Sequence, residues 1–286
     1  MKNKWWLSTI LILFLSGCSS QFSSTATLTP LVTDTSTPIP TATQTSTPTA
    51  TAVPLISGAC SPLQGIALTD LSQIISYKYY VKYPFSEGPT NDKNHPAVDL
   101  GFYHFKEYNT DIGHPIQAFL PGKVVEALDN RYPYGNMILI ETPLTDISPD
   151  LIAKIKIPTP YSDAEIKTRS TCQPDQSQIS WSQTDKSIYI LYAHMQNPSA
   201  LKAGDAVSCG EVIGAVGATG HAVAGNEHLH LEIREGPSDA KFGVIADYDA
   251  SATTEERYNY CIWALSEVFQ PIDPTLFWAS SSNQDQ

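Results

Sequence analysis

The chain has 286 residues, which is enough for one large domain or two small ones. Its 17 basic and 29 acidic residues give a net charge of −12, and Lys and Arg are not clustered. Because phosphate binding needs clustered cationic side chains, this balance argues against nucleic acid as a partner. The 21 prolines and 16 glycines are spread along the chain and disfavour long helices. Composition therefore predicts a mainly β protein.

Residues 1–17 have the features of a secretory signal peptide. Lys2 and Lys4 precede an apolar run from residue 5 to residue 15, about half the length that a membrane-spanning helix needs. The run ends in Leu-Ser-Gly-Cys, which resembles the bacterial lipobox, whose cysteine is acylated. We therefore expect export and lipid anchoring at Cys18, facing the cell wall and the extracytoplasmic space. An ordinary signal peptide and an uncleaved anchor are the alternatives.

Residues 18–54 comprise the acylated cysteine and a segment rich in Ser, Thr and Pro. Positions 19–54 hold 18 Ser or Thr and 5 Pro, and Asp34 is their only charged residue. Such a segment cannot bury enough apolar surface to offset the entropy lost on ordering. We predict a disordered tether, followed by a folded domain over residues 55–286.

The elements predicted for the folded domain are mainly short strands. They are rich in Val, Ile and Tyr and are bounded by Gly, Pro or Asn. In chain order, the predicted strands cover residues 115–128, 136–141, 187–194, 206–216 and 228–234, and the helix candidates cover residues 146–156 and 253–269. This spacing predicts antiparallel sheets packed as a sandwich or open barrel, with few short helices.

Residues 142–186 form an insertion between two predicted strands. The segment has weak strand character and is longer than a hairpin loop needs. It contains Cys172 and many polar residues. We interpret it as an elaborated loop with its own disulfide or as a substrate-facing insertion.

Four cysteines remain if Cys18 is acylated, and an even number in an exported chain predicts two disulfides. They are Cys60, Cys172, Cys209 and Cys261, and none has the CxxC spacing of a zinc finger. Three pairings are open. We favour Cys60–Cys261, which would tie the two extensions together, with Cys172–Cys209 joining the insertion to the sheet.

Residues 228–233 alternate between polar and apolar side chains. In a strand, His228, His230 and Glu232 therefore share one face, and the intervening Leu and Ile residues point into the core. Two imidazoles and a carboxylate are costly to bury unless a metal or water occupies the gap. Taken alone, the pattern also fits a solvated sheet face.

Two further segments place histidine where a metal could bind. If residues 95–99 are extended, His95 and Asp99 share a face, and the small Ala97 between them leaves room for an ion. His194 ends an apolar strand in the sequence Tyr-Ala-His. Each segment alone also fits an ordinary surface or rim residue.

In this order, the three segments resemble the lysostaphin/LytM-type zinc metallopeptidases. That family shows His-x3-Asp, a Gly-Asn strand start, Tyr-x-His, a Gly-rich stretch ending in Thr-Gly, and His-x-His followed by an acidic residue. The corresponding positions here are 95–99, 135–136, 192–194, 204–220 and 228–232. The resemblance covers a core over about residues 90–235 and leaves a C-terminal extension over residues 236–286. Ala97 stands where the family usually has Gly, and Asn226-Glu227 replaces the pair that often precedes His-x-His.

The resemblance implies a LytM-type β fold with one zinc ion held by His95, Asp99 and His230. Three protein ligands leave a fourth position for water, as in catalytic zinc sites. His194 and His228 are implied as catalytic residues that orient or deprotonate this water and stabilise the developing oxyanion.

Other side chains near these motifs have less defined roles. Glu232 is either a hydrogen-bond partner of the His230 ring or a surface carboxylate. His221, Tyr132 and Tyr134 are candidates to flank a peptide substrate.

The implied function is a surface-tethered zinc metalloendopeptidase. It would act as a monomer on peptide bonds of peptidoglycan stem peptides or cross-bridges. A catalytically silent regulator of cell-wall amidases is the alternative, although all five expected site residues are present. A lipoyl-type carrier module is a third reading, but neither Lys123 nor Lys202 lies in the hairpin tip that such a module modifies.

Overall fold

A computed structural model describes residues 54–71, 96–101, 106, 109–156, 179–222, 224–225, 227–247, 249–266 and 268–278. The chain divides after Thr51, and all the described residues lie in the second unit, residues 52–286. The predicted signal peptide, the acylated cysteine and the tether up to residue 53 lie outside the described residues, as do His95 and Cys172. No helix in the described part of the chain is long and apolar enough to cross a membrane.

The described residues form two antiparallel sheets and a few short helices, as the sequence predicts. The strands are β1 (Ala97–Leu100), β2 (Pro115–Gln117), β3 (Gly122–Arg131), β4 (Gly135–Pro143), β5 (Lys186–Met195), β6 (Ala206–Val207), β7 (Val212–Ala215), β8 (Leu229–Pro237) and β9 (Gln270–Ile272). The helices are α1 (Pro149–Ile155), α2 (Thr254–Ala264) and two 3-10 turns at Leu144–Asp146 and Pro274–Phe277.

The larger sheet places β8 between neighbours on both edges. Its order is β1-β8-β5-β4-β3-β6, and β2 and β7 form the smaller sheet. β1 pairs with residues 229–232 of β8, and β9 pairs with residues 233–235. β1 and β9 therefore follow one another along one edge of β8, while β5 occupies the other edge.

Two predicted strands each split into a pair that crosses between the sheets. Residues 115–128 form β2 in the smaller sheet and β3 in the larger one, and residues 206–216 form β6 and β7 in the same way. The first break falls at Pro121, which lacks the N–H that a continuous ladder needs. The second break contains Gly210, which has a positive φ of 79°.

The larger sheet buries both of its faces. Its first face packs against the smaller sheet, with Leu231 and Ile190 beside Ile116 in one core. Its second face is covered by the C-terminal extension, where Trp263 of α2 and Phe269 pack in a second core. Leu229, Leu231 and Ile233 all lie in the first core, so the predicted alternation along β8 is confirmed.

The helices begin where the sequence provides caps. The Ser148 hydroxyl accepts from the backbone N–H of Leu151 at the start of α1, and Thr253 and Glu256 form a capping box at the start of α2. α2 ends well before residue 269. The Ser266 hydroxyl donates to the Ile262 carbonyl there, and the chain turns towards β9.

The first part of the insertion belongs to the core. Ile147, Leu151 and Ile155 are buried on the first face, and Ile147 bridges to Ile56. Residues 157–178 of the insertion lie outside the described residues.

The favoured disulfide pairing is wrong, because Cys60 is bonded to Cys209 at a Cα–Cα distance of 5.7 Å. The backbone explains the pairing: the N–H of Cys60 donates to the Phe119 carbonyl, and the N–H of Gly210 donates to the Ala118 carbonyl. Both cysteines therefore lie beside the segment that follows β2. Cys261 is also disulfide-bonded.

Candidate active site

Three strands of the larger sheet bring the predicted site residues together. In the strand register, Asp99 of β1 lies opposite His230 of β8, and Ala193 of β5 lies opposite His230 on the other side. Because directly opposed residues share a face of the sheet, the carboxylate and the imidazole meet on the second face. The methyl group of Ala193 leaves space beside the ring of His230.

His194 reaches the same site through an irregularity in β5. Simple alternation would turn His194 away from the face that carries Ala193. The pairing with β4 shifts by one residue between Asn136 and Ile138, and His194 has a positive φ of 59°. Such a bulge re-aims a side chain and is common near active sites. The ring of His194 consequently lies with its centroid 4.9 Å from that of His228 and 5.5 Å from that of His230.

The loop after β7 fixes the ring of His194. Its Nδ1 lies 2.8 Å from the Thr219 carbonyl oxygen. A carbonyl only accepts, so Nδ1 carries the proton and Nε2 has the free lone pair. The Thr219 hydroxyl donates to the Met195 carbonyl at 2.8 Å and accepts from the backbone N–H of Asn136 at 2.9 Å.

This loop packs so closely on the turn before β4 that two glycines are required. Gly135 and Gly220 have positive φ angles of 70° and 69°. A Cβ atom on Gly135 would overlap Thr219, and one on Gly220 would overlap the backbone of Gly135 and Pro133. The glycines therefore set the position of the carbonyl that holds His194.

The remaining polar atoms of the site converge on Asp99. Nδ1 of His230 lies 3.1 Å from Oδ1 of Asp99, and Nε2 of His228 lies 3.5 Å from Oδ2. Asp99, His194, His228 and His230 are all buried. The four side chains form a buried polar cluster near the ends of β1, β5 and β8.

Burial and neighbouring charges shift the pKa values of His194 and His230 in opposite directions. Burial, reinforced by the nearby His230 and His228, lowers the pKa of His194 to about 3. Burial opposes charge on His230 as well, but its contacts with Asp99 and Glu232 outweigh that effect and raise its pKa to about 9. Burial therefore favours the neutral form of His194, whereas the two carboxylates favour the charged form of His230.

Glu232 is buried, contrary to the reading of a surface carboxylate. Its carboxylate accepts from Nε of Arg234 and from the hydroxyl of Tyr134 at 3.2 Å, and lies 3.6 Å from Nε2 of His230. Burial alone would raise its pKa, but the charge of Arg234 and the contact with His230 lower it to about 2.

Sequence reasoning missed the parts of this arrangement that are distant along the chain. The sequence analysis gives Thr219 no role of its own, although its place in the Thr-Gly pair of the family pattern was a signal. Arg234 continues the alternation of His230 and Glu232, which was the signal for a shared face.

Tyr132 and His221 form a rim beside the cluster. The Tyr132 hydroxyl contacts Nδ1 of His221, and the backbone N–H of His221 donates to the Pro133 carbonyl at 2.7 Å. Each residue lies two positions from a residue that packs on the site, Tyr134 or Thr219. That this pair flanks a substrate cleft stays a prediction.

Two of the three predicted metal ligands are described. Asp99 and His230 face one another, while His95, two residues before β1, lies outside the described residues. Within the described ranges, no group of three His, Cys, Asp or Glu side chains is arranged to hold a metal ion. The donor types nevertheless fit zinc, because a carboxylate oxygen and an imidazole nitrogen at adjacent positions are ligands that zinc takes.

A match to a known family covers part of the strands that carry this buried cluster. Residues 173–241 match the model of Peptidase family M23. This segment carries His194, His228 and His230. The match agrees with the family resemblance drawn from the sequence.

Several solved structures are similar to the chain at low identity. The catalytic domain of EnpA, a prophage-encoded M23 protein from Enterococcus faecalis, is 20% identical, covers 55% of this chain and 79% of its own, and has a TM-score of 0.30. The catalytic domain of lysostaphin from Staphylococcus simulans is 22% identical and has a TM-score of 0.30. The match covers 59% of this chain and 86% of the lysostaphin domain. A zinc-containing peptidase from Vibrio cholerae is 19% identical and has a TM-score of 0.27. The match covers 54% of this chain and 36% of the Vibrio protein. No curated protein matches the chain.

Proposed function

We propose that this protein is a zinc metalloendopeptidase that hydrolyses peptide bonds in peptidoglycan stem peptides or cross-bridges. One observation carries the proposal: Asp99, His194 and His230 come from three separate strands, and they converge with His228, which directly precedes β8, in one buried cluster. A polar cluster of this kind is costly to bury without a ligand or a catalytic role. The M23 match supports the peptidase class.

The protein's own residues divide the chemical tasks. His194 presents an Nε2 lone pair, so it serves as the general base towards a water molecule. His228 lies beside it and serves to stabilise the oxyanion that develops on the scissile carbonyl. Asp99, His230 and His95 are the proposed zinc ligands, and zinc would supply Lewis-acid activation of the attacking water.

The proposed location is the extracytoplasmic side of the cell membrane. Lipid attachment at Cys18 would anchor the protein, and residues 19–54 would tether the catalytic unit within reach of the cell wall. The Cys60–Cys209 disulfide supports this location, because disulfides persist in oxidising compartments. We propose that the protein acts there as a monomer.

The proposal is tested by digesting purified peptidoglycan with the full-length protein and identifying the fragments by mass spectrometry. A peptidase releases new amino and carboxyl termini within the stem peptides or cross-bridges. An amidase regulator leaves these bonds intact but increases glycan–peptide cleavage when an amidase is added. The second result would replace the proposed function with the regulator.

A further inference from the structure

The side chain of Glu232 connects the proposed metal site to the C-terminal extension. On one side it lies 3.6 Å from Nε2 of His230. On the other side it is held by Arg234, whose Nη1 donates to the Phe269 carbonyl at 2.7 Å. The guanidinium of Arg234 also lies 5.2 Å from the centre of the Trp263 ring. A continuous buried path therefore runs from α2 and residue 269 to the ring of His230.

The two nitrogens of His230 face different carboxylates. Nδ1 faces Asp99 at 3.1 Å, and Nε2 faces Glu232. A cation shared with Asp99 would take the lone pair of Nδ1, which leaves the proton on Nε2. Glu232 is placed to interact with that proton. Carboxylates in this position orient a metal-binding histidine and increase its basicity.

Every polar contact of the Glu232 carboxylate restricts its position. The Tyr134 hydroxyl donates to Oε2 at 3.2 Å, and Nε of Arg234 donates to Oε1. Tyr134 in turn packs against Tyr260 of α2, with ring centroids 6.2 Å apart. Both residues that hold Glu232 are thus held by the C-terminal extension.

We propose that Glu232 and Arg234 are positioning residues, through which the C-terminal extension orients the ligand His230 for metal binding. This inference rests on the proposed function. It gives the extension a role in the site beyond covering the second face of the sheet. A purely structural ion pair would stabilise the fold without affecting the ligand.

The test measures zinc affinity of the full-length protein by competition with a chromogenic chelator. Glu232→Gln should bind zinc about 10–100-fold more weakly, as expected for loss of an outer-shell partner. Glu235→Gln is the matched control. Glu235 is an equally buried carboxylate of β8, 2% exposed against 1% for Glu232. It forms an ion pair with Lys186, at an N–O distance of 3.4 Å, and does not contact the described residues of the site. Its zinc affinity should match that of the wild type. Equal affinities in both variants would overturn the proposal.

A double-variant cycle tests the link to Arg234. Arg234→Lys keeps the charge but loses the fork that holds both Glu232 and Phe269. If Arg234 acts through Glu232, combining both substitutions should weaken zinc binding to within about twofold of Glu232→Gln alone. Losses that multiply would mean that Arg234 acts independently.

A metal-free readout separates this inference from the proposed function. Nitrogen-15 spectra of the metal-free protein report the protonation and hydrogen bonding of the two nitrogens of the His230 ring. Glu232→Gln should change the His230 signals, and Glu235→Gln should leave them unchanged. A wild-type protein that takes up no zinc would contradict the proposed function, and unchanged ring signals in Glu232→Gln would contradict the positioning role. If Glu232→Gln does not fold, nitrogen-15 spectra of the zinc-loaded wild type provide the test. Zinc bound to Nε2 of His230 instead of Nδ1 would overturn the proposal.

Discussion

The hydrogen bond between His194 and Thr219 fixes which nitrogen of this histidine can accept a proton. Nδ1 donates to the carbonyl, so the lone pair on Nε2 remains for catalysis. Burial and two neighbouring imidazoles disfavour a positive ring. The His194 side chain is therefore a base whose neutral form persists far below the ordinary range of histidine.

The His194 ring should remain neutral in the metal-free protein from pH 8 down to about pH 4. Its folded pKa is about 3, whereas the unfolded chain takes up the proton near 6.5. The unfolded state thus binds the extra proton, and this group's contribution to stability falls as pH decreases below 6.5. Nitrogen-15 shifts of the ring across a pH series measure the midpoint. The same protein in denaturant provides the reference, and a folded midpoint near that reference would contradict the expected burial effect.

This result modifies the pH dependence that the histidine content alone predicts. From reference pKa values, activity would begin to fall near about pH 6 as the flanking histidines take up protons. Burial lowers the pKa of His194, so its protonation is expected below that pH. The acid limb then reports the proposed ligands, whose protonation competes with metal.

At the level of elements, a bulge and a pair of glycines orient the side chain of the proposed base, His194. The irregular pairing of β5 with β4 turns His194 towards His230. The close contact of Gly135 with Gly220 places the Thr219 carbonyl beside Nδ1 of His194. Geometry at the site therefore depends on backbone packing between the turn before β4 and the loop after β7.

Gly220→Ala should destabilise the protein more than Gly225→Ala. Both glycines have a positive φ, 69° and 85°, so either alanine carries a left-handed penalty of about 1–2 kcal/mol. Only at Gly220 would the new methyl group overlap backbone, which adds about 1–3 kcal/mol. Urea unfolding of the two variants measures the difference in free energy of unfolding. Equal losses would show that the close packing of this loop is not required.

The elements that follow local patterns could be predicted from the sequence. The alternation along β8 predicted the shared face of His230 and Glu232, because side chains in a strand repeat every two residues. The cap residues of α1 and α2 likewise lie next to the helices they begin. The aim of His194 could not be predicted, because a bulge depends on pairing with a distant strand. The choice between the two alternatives for Glu232 could not be made for the same reason: the C-terminal extension covers a face that alternation alone leaves open to solvent.

On the scale of the whole molecule, the N-terminal segment at residues 54–71 and helix α2 of the C-terminal extension pack on opposite faces of the larger sheet. Leu63 lies in the first core, and Trp263 lies in the second. The Cys60–Cys209 bond joins the N-terminal segment to the turn between β6 and β7 across 149 residues. Pairing over such a distance requires the tertiary fold, which explains why cysteine counting left three alternatives.

Peptide mapping of the unreduced full-length protein should recover the peptides of Cys60 and Cys209 linked to each other. Replacing both residues with Ser should lower the free energy of unfolding by about 2–5 kcal/mol, because the bond restricts the unfolded chain. The measurement is urea unfolding of the oxidised wild type and the double variant. Recovery of Cys60 linked to Cys261 would contradict the structure.

The central claim is that His230 binds zinc while His194 acts on the substrate water without binding the metal. The most direct test measures bound zinc and peptidoglycan cleavage in parallel for the wild type, His194→Ala and His230→Ala. We predict that His194→Ala retains about one zinc per chain and loses cleavage by about 100-fold or more. We predict that His230→Ala loses both zinc and cleavage. Full zinc retention in His230→Ala, or loss of zinc in His194→Ala, would contradict this division of roles.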